Sequence, residues 1–365
     1  MSFVDEVKNA VSPRAALLVV GVLALQLLFI TSYVGALHHP RPRDVKVAVV
    51  APEQLAAPLA DRLAALPGSP LDPRTLTDDR VARDQMLNRE IDAALVVDPR
   101  STADTLMIAS GQGSAETQAL VRIFDEVAKE QQRTLKFDDV APVSAQDADG
   151  LSAFYLVVGW CVGGYLCAAV LAISAGARPA NRQRAAVRLF VMGGYALVAG
   201  LLGALITGPV LGALPGSVGA LWGLGALTVF AVGATTLALQ AVFGIVGIGL
   251  AILLVVVAGN PSAGGAFPLP LLPEFWRTIG PALPPGAATW VARSLAYFRG
   301  NAVATPLMVL ALWAAAGTIV TVIFSSLRRR DEIDVLVRHG SALSVAPPNA
   351  PQSPSYIHNE RASEG

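Results

Sequence analysis

Asn260–Asn301, NPSAGGAFPLPLLPEFWRTIGPALPPGAATWVARSLAYFRGN, is the stretch on which the reading of the fold turns. Its prolines and glycines break it too often for a membrane-spanning helix. Its Leu, Phe, Trp and Tyr are too many for an ordinary wet loop. Backbone groups freed by proline cannot face lipid unpaired. The stretch is therefore expected at the water interface or partway into the bilayer, as short helices packed on neighbouring spans. Trp276, Trp290, Tyr297 and Phe298 suit the headgroup level, where a ring keeps one apolar and one wet end.

On either side the sequence is oily. The chain of 365 residues is 53% hydrophobic and 15% charged, against a norm of about 25% charged in soluble domains. Between Leu151 and Leu327 the charged side chains are Arg178, Arg182, Arg184, Arg188, Glu274, Arg277, Arg293 and Arg299, all between or at the ends of apolar runs. The expected class is an α-helical integral membrane protein of six transmembrane helices, with an α/β extracytoplasmic domain between helices one and two.

Residues 1–14 form an amphipathic lead at the inner membrane face. Ala15–Ala36 is uncharged and about 33 Å long as a helix, enough for one crossing; it reads as a retained anchor rather than a signal peptide, whose apolar core is shorter. Residues 37–150 follow as the α/β domain. Its strands are expected at Val45–Val50, Ile91–Val97 and Thr105–Ala109, and its helices at Pro52–Leu66, Asp79–Glu90 and Ser114–Leu135, with Pro58 kinking the first or delaying its start. Asp138–Gly150 reads as the return linker.

Residues 151–327 make a five-helix bundle that includes the broken stretch 260–301. Spans two and three are Leu151–Ala175 and Leu189–Val210. Val218–Gly259 would be about 63 Å as one helix, roughly twice the bilayer. It must fold back near Gln240–Gly244, giving spans four (Val218–Leu239) and five (Val242–Ala258). Ala304–Phe324 is span six, and residues 328–365, rich in proline, read as a disordered cytoplasmic tail. The arginines of Gly176–Arg188 and Arg328–Arg330 put both termini in the cytoplasm by the positive-inside rule. Arginine far outnumbers lysine, a composition pointing to a bacterial plasma membrane.

Chemistry is constrained by what is missing. There is no G-x-x-x-x-G-K-[ST] for ATP and no H-E-x-x-H for zinc. No acid lies within a span to relay protons. No metal, cofactor or nucleic-acid site is expected, and no catalytic residue. Cys161 and Cys167 share one apolar run and read as small core residues. Glu274 reads as a solvated helix-terminus charge, and Asp147–Gly150 as a turn lacking the ligands of a calcium loop. Gly159/Gly163 and Gly219/Gly223 have small-xxx-small spacing, for internal packing or a dimer face. Polar residues such as Thr235, Thr236 and Gln240 either line a path or make interhelical hydrogen bonds. The basic loop Gly176–Arg188 suits anionic headgroups or an acidic groove on a soluble subunit.

One span, an α/β domain, five further spans and a Pro/Gly/aromatic stretch before the last together resemble permeases of type-2 ABC exporters, most closely the phage-infection-protein (Pip-like) branch. The residues carrying the likeness are Val45–Pro52 (VKVAVVAP), Ile91–Pro99 (IDAALVVDP), Asp149–Tyr155 leading to Gly159–Tyr165, and Asn260–Pro306. The resemblance implies a homodimer in the lipid bilayer with a separate ATPase subunit beneath it. It implies that Arg178, Arg182, Arg184 and Arg188 dock that ATPase, and that Pro273, Trp276, Pro284, Pro285 and Trp290 belong to an extracellular gate. The expected function is a permease-like exporter subunit for a hydrophobic or amphipathic cargo. The alternative is a receptor or envelope scaffold that uses its outer domain to bind a ligand or phage.

Overall fold

The computed structural model describes the backbone of residues 13–343 and the side chains of residues 15–327. The lead at residues 1–12 lies outside the described residues, as do residues 344–365. Five helices are long and apolar enough to cross a membrane: Ala15–Leu37, Ser152–Ala175, Arg182–Val210, Val218–Phe243 and Ala304–Leu327. A shorter apolar helix, Val246–Ser262, lies between the last two. The protein is thus a helical membrane protein carrying an α/β sheet region.

Helix α1 (Pro13–Leu37) leads into the sheet domain, built as β1 (Val45–Val50), α2 (Glu53–Ala64), β2 (Leu71–Leu76), α3 (Asp79–Leu87), β3 (Ala93–Val96), β4 (Ala103–Ile108), α4 (Ser114–Glu130) and β5 (Thr134–Asp139). The strand order is β2-β1-β3-β4-β5, parallel except for the antiparallel β3/β4 pair. Side chains alternate across the sheet as strand geometry requires. Val45, Val47 and Val49 of β1 join Leu95, Leu106 and Phe124 in one core. Ala48 and Val50 face the other way, with Ala94, Met107 and Met86.

Two strands escape the sequence reading. The first, β2 (LDPRTL), holds Pro73, which an edge strand tolerates because its N–H has no ladder partner to lose. The second, β5 (TLKFDD), is the polar opposite edge, and it occupies sequence expected as the end of a helix and the start of a linker. Pro58 does not delay α2, which starts at Glu53; it sits inside the helix on its exposed face, where water can take up the freed carbonyl.

In the bundle, α5 (Ser152–Ala175), α6 (Arg182–Leu205, continued by a π-helical turn Ile206–Val210) and α7 (Val218–Phe243) precede α8 (Val246–Ser262). Helix α7 is central and packs on α5, α6 and the last helix α11 (Ala304–Leu343). Backbones come closest at other glycines than expected. A Cβ on Gly200 would lie 2.5 Å from the Ala226 nitrogen, whereas Gly159 and Gly223 face open space. Of the polar groups of α7, Gln240 bonds across to a neighbouring helix, whereas Thr236 bonds within its own. Gln240 donates to the Ala168 carbonyl at 3.1 Å, and Thr236 back to Val232 at 2.8 Å.

Three boundaries are corrected. Gly244, at φ +66, ends α7 at Phe243 rather than Leu239, so Val242 belongs to α7 and the next helix starts at Val246. That helix is shorter than the other apolar helices, and its stretch Leu253–Gly259 is π-helical. Helix α6 begins at Arg182, not Leu189, capped by the Asn181 side chain. The tail expected to be disordered from 328 continues as helix through Leu343, because Asp331–Arg338 contains neither proline nor glycine to end it.

The broken stretch folds as a 3₁₀ turn at Leu269–Leu271, then α9 (Glu274–Ile279) and α10 (Pro284–Tyr297), joined by a second 3₁₀ turn at Gly280–Ala282. Leu283 and Pro284 start α10 where proline's missing N–H costs nothing. Short helices are expected here, and short helices form.

A candidate binding cleft between the sheet domain and the broken stretch

The sheet domain is seated on the broken stretch rather than tethered above it. One face of the sheet shares a single apolar core with the bundle: Val50, Met86 and Met107 belong with Trp160, Val291, Tyr297 and Phe298. Polar bonds frame it. The N–H groups of Arg41 and Arg43 donate to the carbonyls of Leu271 and Pro270 at 3.3 and 3.0 Å. Arg277 of α9 donates to the Asp44 carboxylate at 3.1 Å and to the Arg43 carbonyl at 3.2 Å. Asn301 donates to the Leu87 carbonyl at 3.2 Å.

Two arginines anchor the interior of this seam. Arg89 follows α3 at φ 58, a conformation that bulky residues rarely adopt. Its guanidinium lies 3.4 Å from the centroid of the Trp290 ring and 4.7 Å from that of Phe298. It donates to the Trp290 carbonyl (2.9 Å), Ser294 Oγ (2.8 Å) and Gln112 Oε1 (2.6 Å). Arg293, 3% exposed, donates to the carbonyls of Gly264 (2.6 Å), Gly265 (2.7 Å) and Gly150 (3.3 Å). It ties α10 to the chain leaving α8 and to the turn that enters α5. Burial lowers both guanidinium pKa values, to about 9 for Arg89 and about 10 for Arg293, so both are charged at neutral pH.

The acids nearby answer them incompletely. Glu116, in the first turn of α4, is 2% exposed and its Oε2 has no hydrogen-bond partner. Burial, then the charge of Asp92, push its carboxyl well above the ordinary range despite Arg293 and Arg89. Burial also raises Asp92, against the Lys46 N–H that donates to it. Asp147 is 5% exposed and accepts from Ser152 N–H (2.9 Å), Ser152 Oγ (2.6 Å) and the Tyr297 hydroxyl (2.6 Å).

Between the sheet and the broken stretch lies a cleft of about 740 Å³. One wall is apolar: Ala263, Pro268, Leu269, Pro281 and Ala287, together with Pro306 at the start of α11. The other carries charge. Asp72 of β2 and Lys46 of β1 are register partners, and Asp92 precedes β3 with its N–H bonded to the Lys46 carbonyl. The three line the cleft side by side as carboxylate, ammonium, carboxylate.

Of the expected gate residues, only Trp290 lines this cleft. Pro284 and Pro285 are buried at the start of α10, Pro285 against Gly259, while Pro273 and Trp276 lie half-buried on α9. Tyr297 and Phe298 do not present their rings to the surface: they are 7% and 2% exposed inside the shared core. The basic loop divides. Arg182 and Arg184 are exposed on the first turn of α6. Arg188 is not available to a partner, because it is 5% exposed and donates to the carbonyls of Ala175 (2.8 Å), Gly176 (2.6 Å) and Ala177 (3.5 Å), capping α5. Arg178 is exposed and donates to the Val242 carbonyl at 3.0 Å. Glu274 is exposed at the start of α9, as its sequence context implies.

Arg89, Glu116, Asp147, Arg293 and Tyr297 carry the seam, and sequence reasoning misses their roles. Asp147 reads there as a turn residue only. Arg293, a lone charge in a buried helix of apolar and small residues, is the available signal. Among the described residues no cluster of three or more His, Cys, Asp or Glu could hold a metal. No family model, curated protein or solved structure matches the chain.

Proposed function

We propose that the protein is a permease-like subunit of a bacterial exporter for an amphipathic cargo, energised by a separate ATPase. The observation that carries this reading is the cleft, whose apolar wall is formed by the broken stretch and the ends of α8 and α11, with the charged end of a sheet opposite. An amphiphile leaving the bilayer meets both environments there at once. In this reading α8 counts as a sixth span, since 17 residues reach the lower limit for a crossing. Both termini are then cytoplasmic, in the plasma membrane, and the sheet domain is outside.

Energy must come from elsewhere, because the sequence holds no P-loop and no acid within an apolar span. The exposed Arg182 and Arg184 suit an acidic groove on a soluble ATPase, with a second copy of the chain completing a homodimer. The test is purification from the native host in mild detergent, followed by reconstitution. The reading expects an ATPase to co-purify and ATP-dependent loss of an amphiphile from loaded vesicles. A chain that purifies alone, exports nothing, and loses its cellular role when the sheet domain is deleted would be a receptor instead.

A further inference from the structure

The charged wall of the cleft holds more information than its volume. Its cations are mostly committed: Arg89 and Arg293 donate to acceptors within the protein, and Arg277 is paired with Asp44. Asp72, Lys46 and Asp92 are different. No ion pair joins any of them to a partner among the described residues, although they line one cleft on three adjacent segments. A ligand with a single positive charge would use the carboxylates and meet Lys46 unanswered. A simple anion would meet Lys46 with a carboxylate on each side. A head carrying both signs answers all three, and the apolar wall opposite asks for a hydrocarbon portion.

We infer that the cleft is a binding site for a zwitterionic amphiphile, an apolar chain whose head carries an ammonium and an acidic group such as phosphate. The acidic group sits at Lys46 on the central strand, and the ammonium at a flanking carboxylate, Asp72 or Asp92. The chain lies along Pro268, Leu269 and Ala287 toward the ends of α8 and α11. This deepens the cargo reading above and rests on it only for the direction of movement; binding itself needs no ATPase.

The experiment uses the full chain in nanodiscs of phosphatidylglycerol, whose lipid lacks an ammonium, with empty nanodiscs as the blank. Calorimetry compares octylphosphoethanolamine, octylamine, octyl sulfate and phosphoethanolamine without a chain. The expected result is that octylphosphoethanolamine binds about tenfold more tightly than any of the other three. Lys46→Met should bring it down to the level of octylamine, and Asp72→Asn/Asp92→Asn to the level of octyl sulfate. The amide that replaces the Asp92 carboxylate retains an acceptor for the Lys46 N–H, so the double variant should fold normally. Equal binding of the three alkyl probes, or charge variants that leave the order unchanged, would overturn the site. Phosphoethanolamine binding as tightly as its octyl form would overturn the amphiphile and leave a soluble zwitterion. Probe binding without export would sink the cargo reading alone, whereas export without probe binding would sink this site alone.

Discussion

The Tyr297 hydroxyl donates to the Asp147 carboxylate at 2.6 Å, joining the last turn of α10 to the loop that enters α5. The same hydroxyl lies 3.3 Å from the Ala213 carbonyl, beyond the end of α6. Three separate returns of the chain therefore meet at one phenol. Tyr297→Phe should keep the ring's packing on Gly111 and lose only these bonds, costing about 1–3 kcal/mol. A lower thermal midpoint in detergent, with the oligomeric state unchanged, is the expected reading; an unchanged midpoint would show the phenol to be dispensable.

Arg293 has a larger effect. Arg293→Met fills similar space but strands three carbonyls, at Gly264, Gly265 and Gly150, so a loss on the order of 3 kcal/mol or more is expected. Arg293→Lys should recover only part, since an ammonium lacks the planar fork that reaches all three. Limited proteolysis of the 263–268 segment, resistant in the native protein and cut in Arg293→Met, would report the detachment directly.

The pH response follows from Glu116. Its unfolded value is near 4.5, and its folded value is well above that. Between the two, the folded chain holds the proton that the unfolded chain has released, so stability falls as pH rises through this window. The groups facing it are Asp92, which adds to the rise, and Arg293 and Arg89, which oppose it. Melting curves at pH 5 and pH 8 should show a drop that Glu116→Gln reduces. A variant with the same drop as the native chain would assign the slope to another group.

The basic loop should split by burial. Arg182→Ala/Arg184→Ala, both exposed, should weaken recovery of a soluble ATPase while leaving the melting temperature within about 1–2 °C, a surface-sized change. Arg188→Ala should do the reverse first, lowering stability because the last carbonyls of α5 lose their cap. Equal loss of partner with no loss of stability in Arg188→Ala would contradict its capping role.

Much of the frame was legible because oil and charge are counted residue by residue. The uncharged runs located the long helices, and the prolines of 260–301 announced that this stretch could not span. Val45–Val50, read as a strand, is β1. What stayed hidden was long-range. β2 and β5 are edge strands with too little apolar pattern to be seen alone. Arg188 reads as a surface charge until its helix is extended back to Arg182. Ring chemistry alone places Tyr297 and Phe298 at a lipid surface, but the sheet domain covers them. Nothing local in Asp147 or Glu116 reveals that a distant segment closes over them.

The shared core at the seam limits how the molecule can be divided. Cut at residue 150 and made as a soluble piece, the sheet domain would present Val50, Met86 and Met107 to water as a raw oily face, where the broken stretch now covers them. Such a fragment should clump rather than behave as a free module. Any hinge must therefore be sought elsewhere than at this weld, so that whatever moves in the bundle carries the sheet domain along.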